Sequence, residues 1–109
     1  MDHKTMEEEL GKLGFKVIDV KDHFSNDLYH IYAVYKNNYA LSICQGEWLH
    51  SGIGTFEVAL GRYDNNEFHL IYKGKWKDDV LGWQTFEDVI ELAKSVKRFR
   101  TIKELKEVK

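Results

Sequence analysis

Leu28-Tyr-His-Ile-Tyr-Ala-Val-Tyr35-Lys-Asn-Asn-Tyr39-Ala-Leu-Ser-Ile-Cys44 is the stretch that decides the fold. Residues 28–35 are rich in aromatic and β-branched side chains, which suit a pleated surface, so they read as a strand. Asn37-Asn38 can take the positive backbone angles of a tight two-residue turn, and the strand pattern resumes from Tyr39 to Cys44. Residues 28–44 are therefore expected to form a β-hairpin.

Working outward, Phe15 to Val20 reads as a strand that runs into Lys21-Asp22-His23 and a turn near Ser25-Asn26. Thr55 to Leu60 puts Phe56, Val58 and Leu60 on one face, and Phe68, Leu70 and Tyr72 do the same across Asp64-Asn65-Asn66, giving a second hairpin. Thr5-Met-Glu-Glu8 has the form of a capping box, and Met6, Leu10 and Leu13 follow at helical spacing up to Gly14. Lys73 to Gln84 reads as a connector. Thr85 with Glu87 and Asp88 marks the start of the main helix, about 86–98, with Phe86, Val89, Ile90, Ala93 and Val96 or Lys97 along one face. Thr101 with Glu104 offers another cap before Ile102, Leu105 and Val108. The expected architecture is a single α+β domain over 1–109, with N-terminal and C-terminal helices packed on one face of a four- to five-stranded, mostly antiparallel sheet.

The chain has 109 residues, of which 43% are hydrophobic and 31% charged, enough apolar material for a core. No apolar run approaches the roughly 18 residues of a membrane span, and the N-terminus lacks a secretory pattern, so a cytoplasmic location without membrane association is expected. Cys44 is the one cysteine, so no internal disulfide can form. Net charge is −2, but residues 94–109 carry seven Lys or Arg against Glu104 and Glu107, net +5, which leaves −7 on the other 93 residues. An acidic body disfavours nucleic-acid binding except through the 94–109 tail. The reading preferred for Lys94, Lys97 and Arg98 is complementation of a helix C-terminus.

Five histidines and Cys44 raise a metal site, but no H-x-x-x-H, H-x-H or C-x-x-C pair is present, and a site would have to be assembled from Cys44, His50 and His69 across separate strands. Neither a metal nor another cofactor is expected. A Cys–His nucleophile is disfavoured because Cys44 falls in a strand interior, where a buried thiol stays protonated. Asp19-Val-Lys21 and Asp78-Asp79 supply the carboxylates a metal-dependent hydrolase or nuclease would use, but such triplets arise readily in a highly charged chain. The Gly46–Gly54 stretch has neither dinucleotide nor P-loop spacing. Without a convergent set of residues, enzyme activity is not expected.

The remaining signals are aromatic. Tyr29, Tyr35, Tyr39, His69 and Tyr72 either wedge the sheet against the helices or leave rings on the open face. Trp48, Trp76 and Trp83 fall between the expected strands. Trp83, beside Gly82 and the main helix, reads as a plug at the end of the core. Trp48 and Trp76, with Glu47, His50, Asp78 and Asp79 beside them, are the expected partner-contact residues.

Tyr39-Ala-Leu-Ser-Ile-Cys44, the glycine-bearing loop into Gly54-Thr-Phe-Glu-Val-Ala59, and Asp78-Asp-Val-Leu-Gly82-Trp-Gln-Thr-Phe-Glu-Asp-Val89 resemble a group of small proteins encoded by bacteriophages and prophages. The resemblance spans about residues 39–98. The chain departs from it at Gly46–Ser51, where Glu47-Trp48-Leu49-His50 replace a run of small residues. It brings no catalytic residues. It implies a phage accessory protein in the bacterial cytoplasm that binds a host protein, in its concrete form an inhibitor of a defence nuclease such as an anti-CRISPR, either monomeric or homodimeric.

Overall fold

The computed structural model describes residues 3–20, 29–45, 55–71 and 81–99. Chain order is α1 (His3–Lys12), β1 (Lys16–Asp19), β2 (Tyr29–Val34), β3 (Tyr39–Gln45), β4 (Phe56–Asp64), β5 (Glu67–Leu70), β6 (Leu81–Gln84) and α2 (Phe86–Val96). All strand pairs are antiparallel, in the order β1-β2-β3-β4-β5. The sixth strand, β6, pairs with β4. The edge of β4 that faces away from β3 is shared: Gly61–Asp64 pair with β5, and Phe56 and Val58 pair with β6. The fold class is α+β, and the expected connector 73–84 is corrected at its end by β6, which brings the strands among the described residues to six. Gly82 and Trp83, residues of low strand preference and large bulk respectively, sit at an irregularity in that pairing and broke the alternation by which a strand is recognised.

Turn chemistry sets the hairpins. The β2–β3 connection is a three-residue loop, Lys36-Asn37-Asn38, and not the two-residue turn expected. Tyr35 N–H donates to Tyr39 O at 2.9 Å, Asn38 N–H donates to Tyr35 O at 2.9 Å, and only Asn38 takes a positive φ, 71°. A turn followed by one left-handed residue is the usual three-residue solution. The two-residue turn lies instead at Asn65-Asn66, φ 49° and 63°, with Asp64 opposite Glu67.

Both helices cover one face. Ile31 and Ala33 of β2, Leu41 and Ile43 of β3, and Phe56, Val58 and Leu60 of β4 alternate onto that face and form one core with Met6 and Leu10 of α1 and Val89, Leu92, Ala93 and Val96 of α2. α1 begins by His3, so Thr5 lies inside the helix and the expected capping box at Thr5–Glu8 does not start it. Its end is a Schellman motif: Gly14 N–H donates to Gly11 O and Phe15 N–H to Leu10 O, each at 3.0 Å, with Gly14 at φ 99°. α2 is capped as its sequence suggests, Thr85 and Asp88 exchanging bonds of 2.9 and 3.1 Å. Lys97 is its C-cap and holds its ammonium 5.7 Å from the centre of the Tyr35 ring.

Three tyrosines work as wedges. Tyr39 is fully buried, Tyr35 packs on Phe15, and Tyr29 stacks on His3 with ring centres 3.6 Å apart while its hydroxyl donates to Glu7 at 2.9 Å. Burial first, and the Glu7 carboxylate second, hold the Tyr29 hydroxyl well above the ordinary tyrosine range. The neutral phenol is therefore favoured by folding. Its contribution is complete below the unfolded-state value of about 10 and is lost as pH rises further, because the unfolded state then binds fewer protons. Tyr29→Phe is expected to cost about 1 kcal/mol at neutral pH. It should also flatten the fall in stability between about pH 10 and 11. Urea melts across that range check both, and an unchanged alkaline slope would overturn the assignment.

Candidate functional site

The face of the sheet opposite the helices is set by register. His30, Cys44 and Glu57 stand in one row across β2, β3 and β4, and Ile18, Tyr32, Ser42 and Ala59 in the next. Beyond them come Val34, Ala40, Gly61 and Leu70, then Tyr63 with Phe68. In the middle rows the central strands β3 and β4 contribute the small residues Ser42, Ala40, Ala59 and Gly61, and rings come from Tyr32 of β2, Phe68 of β5 and Tyr63 near the end of β4. Tyr32 and Phe68 stack with centres 4.8 Å apart and planes 7° apart, and Tyr63 leans on Tyr32 at 5.7 Å. Gly61 makes this approach possible, since a Cβ there would lie 2.4 Å from Phe68 Cζ. Burial raises the Tyr32 hydroxyl, and the neighbouring Cys44 and Tyr63 add to it. The aromatics of this face are thus Tyr32, Tyr63 and Phe68, while Tyr29, Tyr35 and Tyr39 follow the wedge alternative on the helix side. Alternation within residues 28–35 is the signal that would have found Tyr32. Phe68 and Leu70 share one face as expected, and it is the outer one, opposite Tyr63 and Gly61.

His30 Nε2 and Ser42 Oγ share a hydrogen bond at 2.8 Å, and Ser42 Oγ lies 3.9 Å from Cys44 Sγ. Cys44 is part-exposed on this face and is not the buried strand-interior thiol expected. A serine beside a histidine suggests acyl transfer, but β3 is paired on both sides, so the amides around Ser42 are engaged in the ladders and none is spare for an oxyanion. A joint site of Cys44 and His69 is ruled out by parity: Cys44 is on the outer face, while His69 pairs with Arg62 on the helix side and lies 3.6 Å from both Asp64 and Glu67. Among the described residues no three His, Cys, Asp or Glu side chains come together as a metal site.

The expected contact residues Glu47, Trp48, His50, Trp76, Asp78 and Asp79 lie outside the described residues, as do Lys21, Tyr72 and the 100–109 segment. Asp19 is exposed on β1. Trp83 contradicts its expected place as a core plug: it is 63% exposed. It stands in β6 opposite Glu57, where Gly82 and Trp83 together occupy the space between the pairs Val58–Leu81 and Phe56–Gln84. Its φ is 59°, a left-handed angle that is strained for a bulky side chain. The irregular pairing turns the side chain out of the core. After Gln84 the chain enters α2, and between β6 and α2 runs a groove of about 400 Å³ lined by Leu81, Gln84, Asp88, Glu91, Leu92, Ser95 and Arg98.

No helix among the described residues is long and apolar enough to cross a membrane. Comparison with protein-family models, with curated proteins and with solved structures finds no match for this chain.

Proposed function

We propose that the protein acts by binding another protein rather than by catalysis. The observation that carries this reading is Trp83, a tryptophan held 63% exposed on a short edge strand at a strained backbone angle. Tryptophan is the side chain most enriched among residues that dominate binding energy, and the core gains little from it in this position. The phage-type resemblance over residues 39–98 supplies the concrete form: an inhibitor that engages a bacterial defence nuclease. Its expected contact residues lie in the segments that lead into β4 and β6, the strands on either side of the irregular pairing.

The test is affinity capture from a bacterial lysate in chelating buffer, run in parallel with the wild type and Trp83→Asn. Asparagine tolerates the left-handed angle, so the variant should keep the wild-type melting temperature. A stoichiometric protein retained by the wild type and lost from the variant is the expected result. Retention of the same protein by both would remove Trp83 from the interface, and no stoichiometric protein would sink the binding reading.

A further inference from the structure

We infer that the outer edge of β5 pairs with β5 of a second copy of this chain, giving an antiparallel homodimer whose sheet runs on from one copy into the other. The inference goes beyond the protein-binding reading and does not depend on Trp83. Among the described residues β5 pairs only with β4, so its other edge is open. Ile71 N–H donates to Leu60 O at 3.0 Å, and antiparallel bonding alternates along a strand, so Glu67, His69 and Ile71 turn their backbone groups to β4. Phe68 and Leu70 turn theirs outward. Sheet edges are commonly guarded by lysine, proline or a bulge. On the opposite edge of the sheet, β1 carries exposed Lys16 and Asp19 at its two ends, and β6 is broken by its irregular pairing. β5 has none of these devices: it pairs with β4 without a register shift, and the chain contains no proline. Its one fixed charge, Glu67, stands on the helix side. Leu70, on the outer face, is 40% exposed.

A second copy is the occupant because this edge is complementary to itself. With a two-fold axis passing between His69 and its copy, Phe68 of each chain faces Leu70 of the other. Both residues present their backbone groups outward, so each of these pairs exchanges two N–H···O bonds. An axis normal to the sheet keeps the helices of both copies on one side, so Phe68 and Leu70 meet on the outer face and the exposed leucine is covered. The Phe68 ring is already fixed by its stack on Tyr32 at 4.8 Å, and it offers the leucine of the second copy a rigid apolar wall. On the helix side, Glu67 of each copy stands diagonally to His69 of the other, within the roughly 7–8 Å over which such pairs interact. A register slipped by two residues toward the turn sets Leu70 against Asn66, whose φ of 63° takes it out of strand geometry, so those bonds are lost. A net charge of −2 per chain opposes the association little.

The test combines sedimentation equilibrium of the full chain, taken up to about 1 mM because so short an interface is a weak one, with amide hydrogen exchange. The expected result is a mass that rises with concentration from 12.9 kDa toward twice that value. The Phe68 and Leu70 amides should exchange more slowly as the dimer forms. On the β1 edge Val20 N–H donates to His30 O, which leaves the Val17 and Asp19 amides pointing outward, and these should not change. Leu70→Lys alters an exposed side chain, so it should melt as the wild type does while weakening association about ten-fold or more, because it sets a charge against Phe68 of the second copy. Leu70→Pro removes an N–H that β4 does not use and should abolish association. A chain that stays monomeric throughout overturns the inference. So does association that leaves the Phe68 and Leu70 amides unprotected, or that survives Leu70→Lys. Protection of these amides only by a captured protein would give the edge to that protein, overturning the second-copy assignment and leaving the binding reading in place.

Discussion

Gly61→Ala is expected to lower the stability of the fold by about 2–3 kcal/mol, a large effect for one methyl group. The added Cβ would sit 2.4 Å from Phe68 Cζ and 2.6 Å from the His69 carbonyl oxygen. The first clash can be relieved by rotating a ring, but the second is with backbone, so β5 must move off β4 over the Gly61–Asp64 pairing. The ring also loses its stack on Tyr32. Chemical denaturation gives the stability change, and near-ultraviolet circular dichroism should report the loss of fixed tyrosine environments before the fold is lost.

A double-mutant cycle separates the two clashes. In a Phe68→Ala background the ring clash is absent and only the carbonyl overlap is left, so Gly61→Ala should cost about 1 kcal/mol less than in the wild type. Full additivity would mean that the ring does not rest on Gly61. The cycle bears on the outer face directly, because Gly61 is what lets rings from β2 and β5 meet across two intervening strands.

The parts of the fold read from sequence are those where one local signal decides. Tyr29–Val34 and Tyr39–Gln45 form a hairpin because alternation and an asparagine able to take a positive φ point the same way, and Thr85–Asp88 caps α2 because the spacing satisfies both amides. Reading fails where tertiary contact overrides the local signal. Thr5–Glu8 has the cap spacing, but His3 stacks on Tyr29 and bonds Gln45 at 2.6 Å, anchoring an earlier turn as helix. β6 is four residues long with a glycine and a left-handed tryptophan, so nothing local announces a strand; it is one because β4 has a free edge beside it. For the site, Trp83 was visible as an unusual residue but not as an exposed one. Its direction depends on how Gly82 and Trp83 share the place opposite Glu57, which periodicity cannot supply.

Asn37 was legible only as a turn residue, yet Asn37→Asp is expected to be among the most damaging conservative changes in the chain. Its Nδ2 donates to Phe99 O at 2.7 Å and to Val96 O at 3.2 Å, and its Oδ1 accepts from Tyr39 N–H at 3.1 Å. One amide thus fastens the β2–β3 loop to the last carbonyl of α2, Val96 O, which also accepts from Phe99 N–H at 3.1 Å, and to the Phe99 carbonyl just beyond the helix. Asn37→Ala removes these bonds and should cost about 1–2 kcal/mol. Asn37→Asp keeps the size and the bond from Tyr39, but sets an acceptor-only carboxylate against two carbonyl oxygens at the negative end of the helix dipole, so it should cost more, about 2–3 kcal/mol at pH 7. The introduced carboxyl is disfavoured as an anion in the folded state, so its folded-state pKa is raised and the defect is greatest above that value. Protonation restores a donor as pH falls toward about 4, so the Asp variant should recover stability relative to Asn37→Ala. Melting temperatures of the three proteins at pH 7 and pH 4 test this, and an Asp variant no worse than Ala at pH 7 would show that the contact with Val96 and Phe99 is not what holds the loop.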